Sequence, residues 1–265
     1  MPENVNKLRH VILQLAVQGK LVPQDPNDEP ASELLKRIKA ENEKLITEGK
    51  LKKENPLPPI KPDEIPYEVP KGWEWVRLRE LGQTQTGTTP PTSNHEYFGS
   101  DYPFIKPADI SDKGIKYNSG EGLSQKGIEK GRLVKALSVL MVCIGGSIGK
   151  VNFVDRDCSC NQQINVITPY NGVDYLLINY FMASPYFQNE VIKNAPSTTL
   201  PILSKGKWEV ILVPLPPFAE QNRIVSKINQ LMKLCDELKS KLQQSQKDNE
   251  LLMQAFLQKV FQKAI

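Results

Sequence analysis

The last fifty or so residues constrain everything before them. From Glu220 to Lys263 the sequence holds neither proline nor glycine, while Pro214, Pro216 and Pro217 stand just ahead of it. With both breakers absent the stretch reads as one uninterrupted helix, opened by prolines where a helix tolerates them. Apolar or small residues recur at Ile224, Ile228, Leu231, Cys235, Leu238, Leu242, Ser245, Asn249, Leu252 and Phe256, in alternating steps of four and three. That is a heptad seam, with Ser245 and Asn249 as polar interruptions of the kind that fix register at some cost in stability. The 44 residues, at ~1.5 Å each, span roughly 66 Å. A globular domain of ~150 residues is only about 30–40 Å across. The helix therefore has to protrude, and its seam has to meet another helix.

The rest of the chain divides by composition. Residues 1–70 begin with an amphipathic stretch in which Leu8, Ile12, Leu15 and Ala16 share a face and Gly19 is the expected stop. After the turn Asp25–Pro30 comes a second amphipathic helix from Ala31, with Leu34, Leu35, Ile38 and Leu45 apolar, Ser32 as its expected cap and Gly49 as its end. From Glu54 to Pro70, prolines at 56, 58, 59, 62, 66 and 70 exclude helix and inner strand and predict an extended linker. Residues 71–217 are punctuated every 8–12 residues by Gly, Asn, Ser, Thr and Pro. Trp73–Leu78, Leu137–Gly146, Val151–Val154 and Ile164–Ile167 read as strands, and Asp174–Asn194 as one or two helices. The expected class is α+β: an N-terminal helical arm with a proline-rich linker (1–70), an irregular β-rich domain with helices (71–217), and a long protruding coiled-coil helix (218–265).

Composition narrows the chemistry. Histidine occurs only at 10 and 95, which removes most triad, acid–base and zinc chemistry. The cysteines at 143, 158, 160 and 235 read as reduced thiols, and Cys158-x-Cys160 as core packing, since no second pair stands near it. No run of ~18 apolar residues could span a membrane, and the N-terminus lacks a signal-peptide pattern, so a cytoplasmic location is expected. The segment Gly145–Lys150 fails as a phosphate loop: three residues, not four, separate its outer glycines, and Val151 stands where a magnesium-binding hydroxyl belongs. It reads as a turn between strands. Ser184-Pro-Tyr-Phe lacks the second proline of an amino-methyltransferase motif. No catalytic constellation and no metal set emerges.

What remains is charge placement. The whole chain carries 34 Lys+Arg against 30 Asp+Glu, a net +4 that permits a nucleic-acid partner without demanding one. Between Ile105 and Lys150, eight basic residues face four acidic ones in a stretch rich in Gly, Ser, Asn and Gln. Lysines for phosphates and amides or hydroxyls for base edges are what duplex reading needs. The candidate contacts are Thr88, Thr89, Lys106, Lys113, Lys116, Lys126, Lys130, Arg132, Ser147 and Lys150. A solvated loop surface has the same composition, so composition leaves both readings open.

Taken in order, several segments resemble the specificity subunits of type I restriction–modification systems. They are Leu13–Ile38, Gly72–Leu78, Thr86–Ile110, Ser138–Val151, Cys160–Ile164 and, most diagnostic, Leu215–Leu238 entering the long helix. The resemblance runs over essentially the whole chain. It implies a non-catalytic subunit that binds double-stranded DNA, usually with two recognition domains spaced by two antiparallel helices, each domain reading half of a bipartite target. It also implies that the helices dock methyltransferase subunits, and through them restriction subunits. This chain would hold no cofactor, and S-adenosylmethionine, ATP and magnesium would sit on the partners. This chain has one such domain and one long helix, so it reads either as a half-subunit that forms a homodimer or as the N-terminal half of a longer chain. Leu8–Lys20 and Leu252–Ala264 align without gaps, with identities at 8/252, 13/257, 14/258 and 18/262, which suits both. The expected helix interface comprises Leu8, Ile12, Leu15, Ile224, Ile228, Leu231, Cys235, Leu238, Leu242, Leu252 and Phe256. The alternatives are a helix-mediated protein-interaction module with no DNA role, or an enzyme.

Overall fold

A computed structural model describes residues 2–49, 55–118, 122–195 and 199–262. The arm is two helices, α1 (Pro2–Val17) and α2 (Ala31–Thr47). α1 ends at the expected glycine: Gly19 takes a φ of 68°, and a Cβ there would approach Pro70 Cγ to 2.4 Å. Only glycine suits both the left-handed turn and the contact with the end of the linker. Ser32 does not cap α2. Pro30 takes the N-cap position, and the Ala31 amide donates instead to the Gly72 carbonyl at 2.8 Å.

The proline-rich stretch is extended except for a 3-10 turn at Pro62–Glu64. Its expected start, Glu54, lies outside the described residues. It is strapped to the domain. Arg77 Nε donates to the Pro58 carbonyl (3.0 Å), Arg77 Nη2 pairs with Glu64 (3.1 Å), and the Tyr67 hydroxyl donates to the Val17 carbonyl (3.0 Å).

The middle of the chain supplies β1 (Glu74–Arg77), β2 (Gly82–Thr86), β3 (Phe98–Gly99), β4 (Tyr102–Ile105), β5 (Ile110–Ser111), β6 (Gly114–Ile115), β7 (Gly122–Leu123), α3 (Gln125–Lys130), β8 (Val139–Val142), β9 (Val151–Phe153), β10 (Ser159–Cys160) and β11 (Ile164–Pro169). Then follow α4 (Tyr175–Met182), α5 (Pro185–Asn194), α6 (Lys205–Glu209), β12 (Leu212–Leu215) and α7 (Phe218–Gln262). The central sheet is antiparallel in the order β2-β11-β8-β9. A second sheet runs β10-β4-β7-β3, with β10 parallel to β4, and β1–β12 and β5–β6 form two-stranded pairs. The α4–α5 break falls at Ser184, whose hydroxyl caps the Phe187 amide while Pro185 takes the first helical position.

β8 is apolar at every position because both of its faces are covered. Val139 and Met141 enter a core with Val76, Phe187, Trp208 and Val213. Leu140 and Val142 point the other way, onto Ile105, Ile110, Cys158 and Cys160. β2, Gly-Gln-Thr-Gln-Thr, carries no apolar alternation. It is a strand because β11 pairs with it along its whole length, from Asn165↔Thr86 to Pro169↔Gly82.

α1 lies antiparallel on α7, with Arg9 paired to Asp236 and, beyond the helix, Gln24 bonded to Glu220. Val5, Ile12, Ala16 and Val17 pack with Ile224, Ile228, Cys235 and Phe181 of α4. Two corrections follow. Ile12, Ile224, Ile228 and Cys235 belong to the chain's own core and are not available to a partner. Leu8 does not share the inward face of α1; it is 43% exposed, because α1 is covered by α7 on one flank and by α4 and α5 on another, which turns the buried stripe toward Val5, Leu13 and Val17. The expected end of the long helix, Lys263, lies outside the described residues.

Candidate nucleic-acid interface

At the end of the central sheet where β2 and β8 finish and β11 and β9 begin, four connections converge. The Gly87 amide donates to the Ile164 carbonyl and the Thr88 amide to the Cys160 carbonyl, both at 2.9 Å. The 143–150 turn is latched to the 199–204 segment by Gly145 N–H to the Pro201 carbonyl (2.9 Å) and Leu203 N–H to the Cys143 carbonyl (2.8 Å). The Asn161 amide reaches the Ile105 carbonyl (3.1 Å) and so brings in the turn that begins at Lys106. Side-chain amides are held in place here. Thr89 Oγ1 donates to Gln162 Oε1 (2.7 Å), which leaves the exposed Gln162 Nε2 pointing to solvent, and Asn161 Nδ2 donates to Gln163 Oε1 (3.0 Å).

The charges are sorted between the two ends of this sheet. Segments 87–95, 143–150, 161–163 and 199–204 contain no Asp or Glu at all. The opposite end carries Glu80, Asp155, Asp157 and Asp174. Hydrogen bonds from the Arg156 and Tyr117 side chains hold the Asp155 carboxyl below its ordinary value, and the Ala136 amide with Lys135 does the same for Asp157. That end therefore carries ionised carboxylates at neutral pH, two of them paired with Arg156 and Lys135, whereas the four loop segments carry none.

The structure brings together Thr88, Thr89, Lys106, Ser147 and Lys150, with Arg132 pinned beside them by its bond to the Thr86 carbonyl (2.8 Å). It does not bring in the other four lysines. Lys113 and Lys116 ride on the β5–β6 hairpin beside β9, where Asn152 Nδ2 donates to the Ser111 carbonyl (2.7 Å). Lys126 and Lys130 sit on α3 against the second sheet, and Lys126 is paired with Glu96 at 3.0 Å. Gln162, Leu200 and Ile202 join the loop end and were not among the candidates. For Leu200 and Ile202 the cue in the sequence was a run free of charge, Thr199–Ser204; Gln162 had none.

Gly145–Lys150 is the β8–β9 turn, with Gly145 and Gly149 at φ of 90° and 89°. Burial pushes the Cys143 and Cys158 thiols up to about 12 and raises Cys160 as well. They are core packing with no thiolate to offer. Among the described residues no group of His, Cys, Asp and Glu could hold a metal ion, and no helix is long and apolar enough to cross a membrane.

A second surface runs along the helices. Arg9 beside Asp236 sets Leu8 and Val11 of α1 level with Glu237 and Leu234 of α7. Helical periodicity groups Leu8, Val11 and Leu15 on one flank of α1, next to Leu231, Leu234 and Leu238 on α7. Leu15, Leu231 and Leu242 are half-buried and the others are exposed. Beyond Leu242, α1 no longer covers α7, and Leu252 and Phe256 stand 72% and 63% exposed.

The type I restriction modification DNA specificity domain matches residues 70–246. The chain belongs to this family. Among curated relatives it is 36% identical over 246 residues to the EcoAI specificity subunit of Escherichia coli, covering 89% of this chain and 41% of that one. The EcoEI specificity subunit of the same species is 32% identical over 260 residues, covering 92% and 43%. This specificity-domain chain thus spans less than half the length of these relatives. In fold it is similar to the HsdS subunit from Thermoanaerobacter tengcongensis, with a TM-score of 0.54 at 21% identity, over 90% of this chain and 49% of that one. A chain from a structure of type I system assembly and conformational transition matches with a TM-score of 0.58 at 20% identity, over 96% and 54%.

Proposed function

We propose that this chain is a non-catalytic subunit that recognises one half of a bipartite double-stranded DNA target and directs methyltransferase and restriction subunits to it. The observation that carries this is the end of the central sheet. Four segments distant in sequence, 87–95, 143–150, 161–163 and 199–204, meet there without a carboxylate among them, and Lys150, with Lys106 and Arg132 from adjoining segments, stands near fixed amides and hydroxyls. Cations position phosphates, and amides with hydroxyls read base edges. The exposed α1–α7 flank is the surface for methyltransferase subunits or for a second such chain. S-adenosylmethionine, ATP and magnesium belong on the partner subunits.

The test is DNA binding by the chain assembled with a methyltransferase subunit, across a salt series. Replacing Lys106, Arg132 and Lys150 by Ala should weaken binding to all sequences and lower the slope of log K against log salt by about one per lost phosphate contact. An unchanged slope would place the DNA elsewhere. Absence of salt-dependent, sequence-selective binding would instead support a protein-interaction module.

A further inference from the structure

The end of the sheet that carries the amides and cations also carries an apolar pair. Ile202 is 48% exposed and Leu200 51%, within the segment latched onto the 143–150 turn. The backbone there is fixed: Ile144 bridges Ile202, and the Gly145 and Leu203 amides flank that bridge with their bonds to Pro201 and Cys143. Leu203 is buried in the core. In extended backbone neighbours alternate in direction, so seating Leu203 inward turns Ile202 outward. Beside it Gly146 is exposed, has no left-handed φ, and a Cβ built on it would meet nothing within 4 Å among the described residues. Neither the backbone nor the packing of the described residues needs a glycine at 146. A surface that comes close from outside would.

The surroundings identify that surface. Ser147 and Lys150 lie on the turn to which the apolar pair is latched, the Thr89–Gln162 pair lies on the adjoining connection beside Gln163, and no carboxylate stands in any of the four converging segments. A polyanion whose groove floor offers hydrogen-bonding edges and isolated methyl groups matches this pattern. In the major groove the apolar projection is the C5-methyl of thymine. We propose that Ile202, with Leu200 beside it, reads the C5-methyl of a thymine in the half-site, and that the bare backbone at Gly146 gives the groove wall its clearance. This rests on the DNA-reading role proposed above.

The test uses the full chain assembled with a methyltransferase subunit. A preferred half-site is first selected from a random-sequence duplex pool. Each thymine of it is then replaced singly by deoxyuridine, which removes only the methyl group. At one position the unmodified chain should bind the deoxyuridine duplex about fourfold more weakly, the factor one buried hydrocarbon group is worth. Ile202→Ala should bind both duplexes equally, Ile202→Val should keep the discrimination, and both should retain the parental thermal midpoint. A half-site with no methyl-sensitive thymine, or one whose sensitivity persists in Ile202→Ala, overturns the inference while leaving DNA reading intact. Selection of no sequence at all would overturn the DNA-reading role itself.

Discussion

Glu220 sits where the arm, the linker and the long helix meet. Its carboxylate accepts from Trp73 Nε1 (2.9 Å) and Gln24 Nε2 (2.8 Å), one turn before Arg223 pairs with Asp28. Burial raises its pKa, against the lowering pull of those two donors. Glu220→Ala leaves the buried Trp73 N–H without an acceptor and should cost about 1–3 kcal/mol at neutral pH, read as a shift in denaturant midpoint. The sign of its pH dependence follows from linkage. A carboxyl whose folded pKa is raised binds its proton more tightly in the folded chain. Its contribution is fully present below about 4.3, the unfolded value, and is lost as pH rises through the folded value. Stability of the parent chain should therefore carry a falling component just above that pH that Glu220→Ala lacks; identical pH profiles would refute this. At this scale the sequence was legible where one residue type is forced, as at Gly19. It was illegible where exposure depends on how many neighbours converge. Leu8 and Ile12 both fit the periodic face, yet one is exposed and the other buried, because α1 packs against more than one element.

The long helix changes character along its length. Up to Leu242 its seam residues Ile224, Ile228 and Cys235 are covered by α1 and α4 of the same chain while Leu238 faces out, and beyond Leu242 the helix stands clear. The two halves should answer differently to substitution. Ile228→Ala opens a cavity in the chain's own core and should cost about 2–5 kcal/mol, lowering the thermal midpoint whether or not a partner is present. Leu238→Asp with Phe256→Asp alters exposed positions. It should leave the midpoint of the isolated chain nearly unchanged while abolishing association, read by light-scattering mass and by pull-down of a methyltransferase subunit. Unchanged mass and capture would show that the exposed flank is not an interface. The heptad pattern gave the helix and its seam, since period is local. It could not say what fills the seam, because α1 lies more than two hundred residues away along the chain. The same limit hid β2, whose polar sequence becomes a strand only by pairing with β11, and displaced Ser32 from the cap, because the helix begins one residue earlier, at Ala31, whose amide is held by the distant Gly72 carbonyl.

Across the whole molecule, charge and anchorage are polarised. α7 is tied to the carboxylate-bearing end of the central sheet, where the Asp174 amide donates to Gln221 Oε1 (3.0 Å) and Gln221 Nε2 reaches the Gly172 carbonyl (3.3 Å). The carboxylate-free loops lie at the other end. The sequence hid this sorting because the loops that meet are separated by tens of residues, so no composition window contains them together. Only the two-domain pattern of the resembled family suggested what the long helix spaces. Under the proposed role α7 is a ruler, and the stretch beyond α1 is its free segment. Deleting Gln244–Glu250, one heptad past the last α1 contact, keeps the seam in register while shortening the helix by roughly 10 Å. At ~3.4 Å per base pair the preferred spacer between half-sites should contract by about three base pairs, and the half-site sequence should stay the same. If two copies pair antiparallel, their two-fold symmetry requires an interrupted palindrome, since symmetric protein reads symmetric DNA. Mapping methylated sites of the reconstituted complex reads both quantities at once. Half-sites that change when only the helix is shortened, or a spacer that does not move, would show that α7 does not set the distance between the reading ends.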